Sequence, residues 1–97
     1  MDGKQRNLSQ GIFTGSIDKV NADGSNGSLK ENSIVWVHSA QASGGHPPAE
    51  YYLLETLMAG TGIIVQRATQ YIYQGAPVVY ERMYVNEQWS NAWAKLN

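Results

Sequence analysis

The chain has 97 residues and no cysteine, so it is a single domain with a thin core and neither a disulfide nor a thiolate metal site to staple it. Charged residues make up 15 % of it, against roughly 25 % in an average domain, which leaves much neutral surface for association. A net charge of −1 and a pI near 6.0 provide no basic stripe for nucleic acid and no polybasic patch for anionic lipid, and no apolar run approaches the length of a membrane span.

Residues 1 to 10, MDGKQRNLSQ, are polar, aperiodic and without the apolar middle of a signal peptide, and read as a tail or as the trimmed end of a longer polypeptide. In GIFTGSIDKV, residues 11 to 20, an apolar patch at Ile12 and Phe13 precedes Ile17 and Val20, a spacing that suits one short helical turn after Thr14 or Ser16. The next stretch, NADGSNGSLKEN, holds Asp23-Gly24 and Asn26-Gly27, dipeptides that tolerate positive φ, and reads as an exposed loop. IVWVH, 34 to 38, is a β-branched and aromatic strand, with Trp36 expected in the core. SAQASGGHPPAE follows, where paired glycines and prolines forbid a ladder; such long loops are often binding or lid segments. Three further strands come in series, YYLLETL (51 to 57), GIIVQRAT (62 to 69) and VVYERMY (78 to 84), separated by glycine-bearing turns. The expectation is a mainly β fold: a small antiparallel meander with one short N-terminal helical turn.

Side chains two apart on a strand share a face. In the last of these strands Val78, Tyr80, Arg82 and Tyr84 oppose Val79, Glu81, Met83 and Val85, and neither row is cleanly polar. The strand before it repeats this pattern, with Gln66 in one row and Arg67 in the other. A sheet with two apolar faces needs a layer on each, and a chain this short supplies one; another copy of the chain is the natural source of the second.

Two of the three tryptophans, Trp89 and Trp93, fall in the last nine residues, close to Arg82 in the fold this meander implies. The stronger account is packing, with guanidinium and indoles forming a C-terminal clamp; the alternative is a sugar platform in which an exposed indole stacks on a pyranose while Arg, Gln and Asn bind hydroxyls. His38 and His46 with Glu50 match no ligand spacing of mechanical meaning, so no metal is expected. SGG is followed by HPP, which cannot open a helix with free amide donors, so no phosphate loop is present. Nothing singles out a catalytic group, and no cofactor or enzymatic activity is expected.

From His46 onward the order of features is distinctive: a proline after a glycine loop, YYLLETL, a glycine, GIIVQRATQY, then VVYERMYVNEQWSNAW. This resembles the knob domain of R-type pyocin and bacteriophage tail fibres. The matching positions are Pro48, Leu53, Gly62, Gln66, Tyr80, Arg82, Trp89, Ser90 and Trp93, and the likeness extends over most of the chain after residue 11. The resemblance implies a homotrimeric fibre segment of a virion or phage-tail-like particle, extracellular when it acts, with residues 1 to 10 as a linker or fibre-shaft end and 11 to 97 as the knob. It implies no catalysis. It implies host attachment through bacterial surface glycan or lipopolysaccharide, without membrane insertion or nucleic-acid binding. The alternatives are a spacer or trimerisation module without a ligand, and an accessory binding module of a tailspike depolymerase. That the motif ends so near Asn97 points to a terminal knob.

With the motif residues assigned to structure, the candidates for ligand contact are exposed aromatic and amide groups on loops. QYIYQGAP supplies Gln70, Tyr71, Tyr73 and Gln74, and the preceding long loop supplies His46. A tyrosine offers a flat face and a hydroxyl at low entropic cost, which suits a weak sugar contact.

Overall fold

In the computed structural model, residues 12–19, 32–60, 62–71, 74–89 and 92–97 are described. They build a seven-stranded mixed sheet. In chain order these are β1 (Ile12–Phe13), β2 (Ser33–His38), β3 (Tyr51–Gly60), β4 (Ile63–Gln70), β5 (Val78–Val85), β6 (Gln88–Trp89) and β7 (Ala94–Lys95), with a 3-10 turn at Ile17–Lys19 between the first two. Strands β2 to β6 run as an antiparallel meander, β1 lies parallel to β2, and β7 pairs with β5. The chain is mainly β, as its sequence predicts, and its helical turn follows Ser16, whose Oγ accepts from the Asp18 amide at 3.2 Å.

Alternation divides the sheet into two unlike faces. On the inner face Val35, Val37, Tyr52, Leu54, Thr56, Ile64, Gln66, Ala68, Tyr80 and Arg82 are all buried. Complete burial of an apolar side chain such as Val37 or Leu54 stabilises the fold by about 1.5–3 kcal/mol. The layer over this face is not regular structure: it consists of Phe13, the 3-10 turn with Ile17, and the loop between β2 and β3, whose Ala42 and Ala49 pack on the core. Backbone bonds sew these two coverings together, from Ile17 N to Ser43 O at 2.9 Å and from Ser43 N to Gly15 O at 2.9 Å. The paired glycines make this crossing possible. Gly44 has a φ of +110°, and a Cβ there would stand 2.8 Å from Ile17 Cγ1; a Cβ on Gly45 would stand 3.1 Å from Arg82 Nη1.

The outer face carries Ile34, Tyr51, Leu57, Ile63, Met83 and Val85, all substantially exposed. Trp36 also belongs here, half-buried and stacked on Tyr51 with ring centroids 6.3 Å apart, rather than in the core. The reason is parity: Val35 and Val37 take the inward positions of β2, so the residue between them must point outward.

After β5 come two short strands, β6 and β7. Strand β4 occupies one edge of β5, and β6 and β7 share the other, at Tyr84 and Val85 and at Tyr80 and Glu81 respectively. The β5–β6 connection is the two-residue turn Asn86-Glu87, with φ of 56° and 64°, the primed hairpin geometry that matches strand twist. Asn97 ties down the terminus, accepting from Val79 N at 2.9 Å and donating to Pro77 O at 2.8 Å.

Candidate functional site

Strand register brings Thr56, Gln66 and Arg82 into one row across β3, β4 and β5, all on the buried face. Three polar groups in a core demand partners, and each finds them. Arg82 donates from Nε to Gln66 Oε1 at 2.9 Å and from Nη2 to Asp18 Oδ1 at 2.6 Å. Gln66 turns its amide nitrogen to Ile17 O at 2.6 Å and Thr56 Oγ1 at 3.1 Å. The Arg82 guanidinium carbon lies 4.0 Å from the Trp89 ring centroid and 4.6 Å from that of Trp93. Each such contact contributes roughly 0.5–2 kcal/mol, more as water is excluded. Trp93 is fixed in turn by its indole N–H, which donates to Gly45 O at 2.8 Å, while Gly45 N approaches Asp18 Oδ1 at 3.4 Å. One arginine thus joins the sheet, the 3-10 turn, the long loop and the C-terminal segment.

Burial pulls the Arg82 pKa below its ordinary value, and the bond to Asp18 opposes that shift; guanidinium remains charged regardless. Burial also raises the pKa of Tyr52, where the charge of Arg82 opposes and that of Asp18 adds. Tyr52 is accordingly a phenol, and its hydroxyl lies 2.6 Å from His46 Nδ1. The other ring nitrogen of His46 is 2.8 Å from Ala42 O. A carbonyl only accepts, so Nε2 carries the proton, and in the neutral ring Nδ1 accepts from Tyr52.

The residues singled out in the sequence therefore separate into groups. Gln66, Arg82, Trp89 and Trp93 meet at one point, with Tyr80 buried in the neighbouring core; Ser90 lies outside the described residues. His46 has both nitrogens engaged internally and is a fastening of its loop. It lies on the inner side, whereas His38 and Glu50, 3.5 Å apart, flank the outer face beside Tyr51. Among the described residues no three potential ligands converge on a metal position. Tyr71 is 57 % exposed just past the end of β4, Gln70 is half-buried, and Gln74 is exposed with a φ of 60°; Tyr73 lies outside the described residues.

A cleft of about 800 Å³ opens elsewhere, at the Ile64 end of β4, about 20 Å along the strand from Gln70. Its apolar wall is Ile64, Met58, Tyr84 and Trp89, the last two edge-to-face with centroids 5.2 Å apart. Asp18 and Lys19 of the 3-10 turn face it from one side, and Glu87 of the β5–β6 turn with Gln88 of β6 from another. Nothing in the sequence singles out Asp18, Lys19, Glu87 or Gln88. The two pairs lie 68 positions apart at the nearest, Lys19 to Glu87, and only the folded sheet sets them around one space. The single local signal is Asn86-Glu87, and it lacks the glycine that usually marks such a turn.

No family model matches this sequence, and comparison with curated proteins and with solved structures returns no match.

Proposed function

We propose that this chain is a knob of a bacteriophage or phage-tail-like fibre, which attaches the particle to its host by binding bacterial surface polysaccharide as a homotrimer. The observation that carries the reading is the convergence of the residues responsible for the resemblance: Gln66, Arg82, Trp89 and Trp93 are scattered in sequence yet form one bonded cluster. A motif whose members hold each other is a fold signature; in the family it resembles, that fold serves receptor-contacting fibre ends as well as spacers, and the attachment reading takes the first of these. The outer face supports the assembly. It exposes Ile34, Tyr51, Leu57, Ile63, Met83 and Val85 on one side of the sheet, a face that another copy of the chain can cover. Neighbouring copies cover it, and three copies give avidity to contacts that are weak singly.

Two measurements test the proposal. Light scattering at micromolar concentration reads the assembly, with a trimer expected; a stable monomer removes it. Adsorption of the labelled protein to host cells, before and after enzymatic stripping of surface polysaccharide, reads attachment. Loss of adsorption on stripping is expected. A trimer that adsorbs to no cells is a spacer module.

A further inference from the structure

The space between the 3-10 turn and the β5–β6 turn has the size of a small-ligand site, about 800 Å³ where such sites run from roughly 300 to 1,000 Å³. Its chemistry is two-sided. Tyr84 and Trp89 present aromatic surface beside Ile64 and Met58, and the facing turns present carboxylate, amide and ammonium groups. That combination fits a sugar ring, which has an apolar C–H surface and a rim of hydroxyls: the aromatics take the first, and carboxylate and amide groups take the second. The charges restrict the kind of sugar. Asp18 is paired with Arg82, so Glu87 is the carboxylate left to the cleft; it faces one ammonium, Lys19, which is exposed and so a weak, salt-screened anchor for an anion. The strong cation nearby, Arg82, is buried behind Trp89 and committed to Asp18 and Gln66. A uronic acid, sialic acid or phosphorylated sugar would meet Glu87 without a buried partner of opposite sign.

Glu87 occupies the turn at the edge of this space. It holds a φ of 64° in a turn position where glycine is preferred, and a side chain with a Cβ costs the backbone roughly 1 kcal/mol there. The primed turn demands that conformation, and Asn86 beside it shares the positive φ. What Glu87 adds is a carboxylate at the mouth of the cleft. The cleft also lies on the inner side of the sheet, so subunits that pack through the outer face leave it open.

Resting on the attachment reading above, we infer that this cleft is the glycan site and that it takes a neutral oligosaccharide, with Glu87 and Gln88 bonding hydroxyls and Trp89 and Tyr84 stacking on the ring. The three tryptophans make the test direct, because each reports a different place: Trp89 the cleft, Trp93 the internal bond to Gly45, and Trp36 the outer face. Indole N–H resonances of the intact protein are followed during titration with maltotriose, raffinose and N-acetylated chitotriose as neutral probes and with sialyllactose as the acidic one. The expected result is a saturable shift of Trp89 with at least one neutral probe, at millimolar concentrations, and a weaker response or none to sialyllactose. Movement of Trp36 alone, a preference for sialyllactose, or a flat response to every neutral probe overturns the inference. Glu87→Gly removes the carboxylate while relaxing the turn, so it keeps the fold; adsorption to host cells is expected to weaken about tenfold, as for one lost charged hydrogen bond. Unchanged adsorption of Glu87→Gly together with loss in Tyr71→Ala moves the site to the other end of β4, leaving attachment intact. Parent protein that adsorbs to no cells defeats the attachment reading itself, whatever Trp89 does.

Discussion

Two polar rows cross the same three strands at adjacent positions, one on each face. On the inner face Thr56, Gln66 and Arg82 stand in register; on the outer face Glu55, Arg67 and Glu81 do the same. The arginines differ in what covers them. Arg82 is 8 % exposed, held by Gln66 and Asp18 and lying against two indoles, whereas the Arg67 side chain is 47 % exposed and pairs with Glu81 at 2.7 Å. Glu81 raises the Arg67 pKa through that hydrogen bond, as expected of a direct ion pair. Identical residue type and identical cross-strand spacing give unequal weight to the two groups, because the cost of an unpartnered charge depends on its distance from water.

The sharpest way to break the comparison is to remove both arginines in turn. Arg82→Met leaves Asp18 and Gln66 without their shared donor and takes away the cation that Trp89 and Trp93 lie against; a loss of about 3–5 kcal/mol is expected in denaturant titration. A double-mutant cycle with Asp18→Asn reads how much of that belongs to the ion pair. Trp93→Ala follows, at about 3 kcal/mol, since it opens a cavity over the core and frees Gly45 from its bond. If Trp93→Ala melts with the parent, the clamp does not hold the fold.

Tyr52→Phe tests the inner face through pH. Burial holds the folded Tyr52 hydroxyl protonated above its ordinary value of 10.0, so the unfolded chain releases that proton first. The contribution of Tyr52 is therefore complete below about pH 10 and is lost as pH rises beyond it. The variant is expected to be about 1 kcal/mol less stable at neutral pH, from the lost bond to His46, and to decline less steeply in alkali. Parallel alkaline slopes in parent and variant refute the assignment. Glu87→Gly is expected to gain about 0.5–1 kcal/mol by relieving its left-handed backbone, and a loss of stability would mean the side chain also supports the turn. Arg67→Ala comes last, under about 1 kcal/mol and shrinking further with added salt. A large effect there, concentration-dependent and absent in a monomeric variant, would place the outer row inside a subunit interface.

Much of the sheet was legible in the sequence. The strands expected at 34 to 38, 51 to 57, 62 to 69 and 78 to 84 are found at Ser33–His38, Tyr51–Gly60, Ile63–Gln70 and Val78–Val85. β-branched and aromatic runs bounded by glycine turns report strand formation directly, since both signals are local. The edge strand β1 was not legible: two residues carry no period, and Ile12 and Phe13 are extended because β2 offers a free parallel edge. Trp36 was misplaced for a related reason. Its size suggests a core, yet parity within β2 had already assigned the inward positions to its neighbours.

The sequence by itself determined the alternation, and with it the existence of two partly apolar faces, the row that Arg82 shares with Tyr80 and Tyr84, and the breaks at the paired glycines and prolines. Only the tertiary structure decided which face is covered. The loop from residue 39 to 50 and the turn at Ile17–Lys19 fold over one side, and that choice buries Arg82, engages both nitrogens of His46 and leaves Arg67 in water. It also places Asp18 and Lys19 opposite Glu87 and Gln88 around one cleft. Strand pattern is set by interactions between near neighbours, while the covering of a face is set by contacts between residues tens of positions apart, and those exist only once the chain has closed on itself.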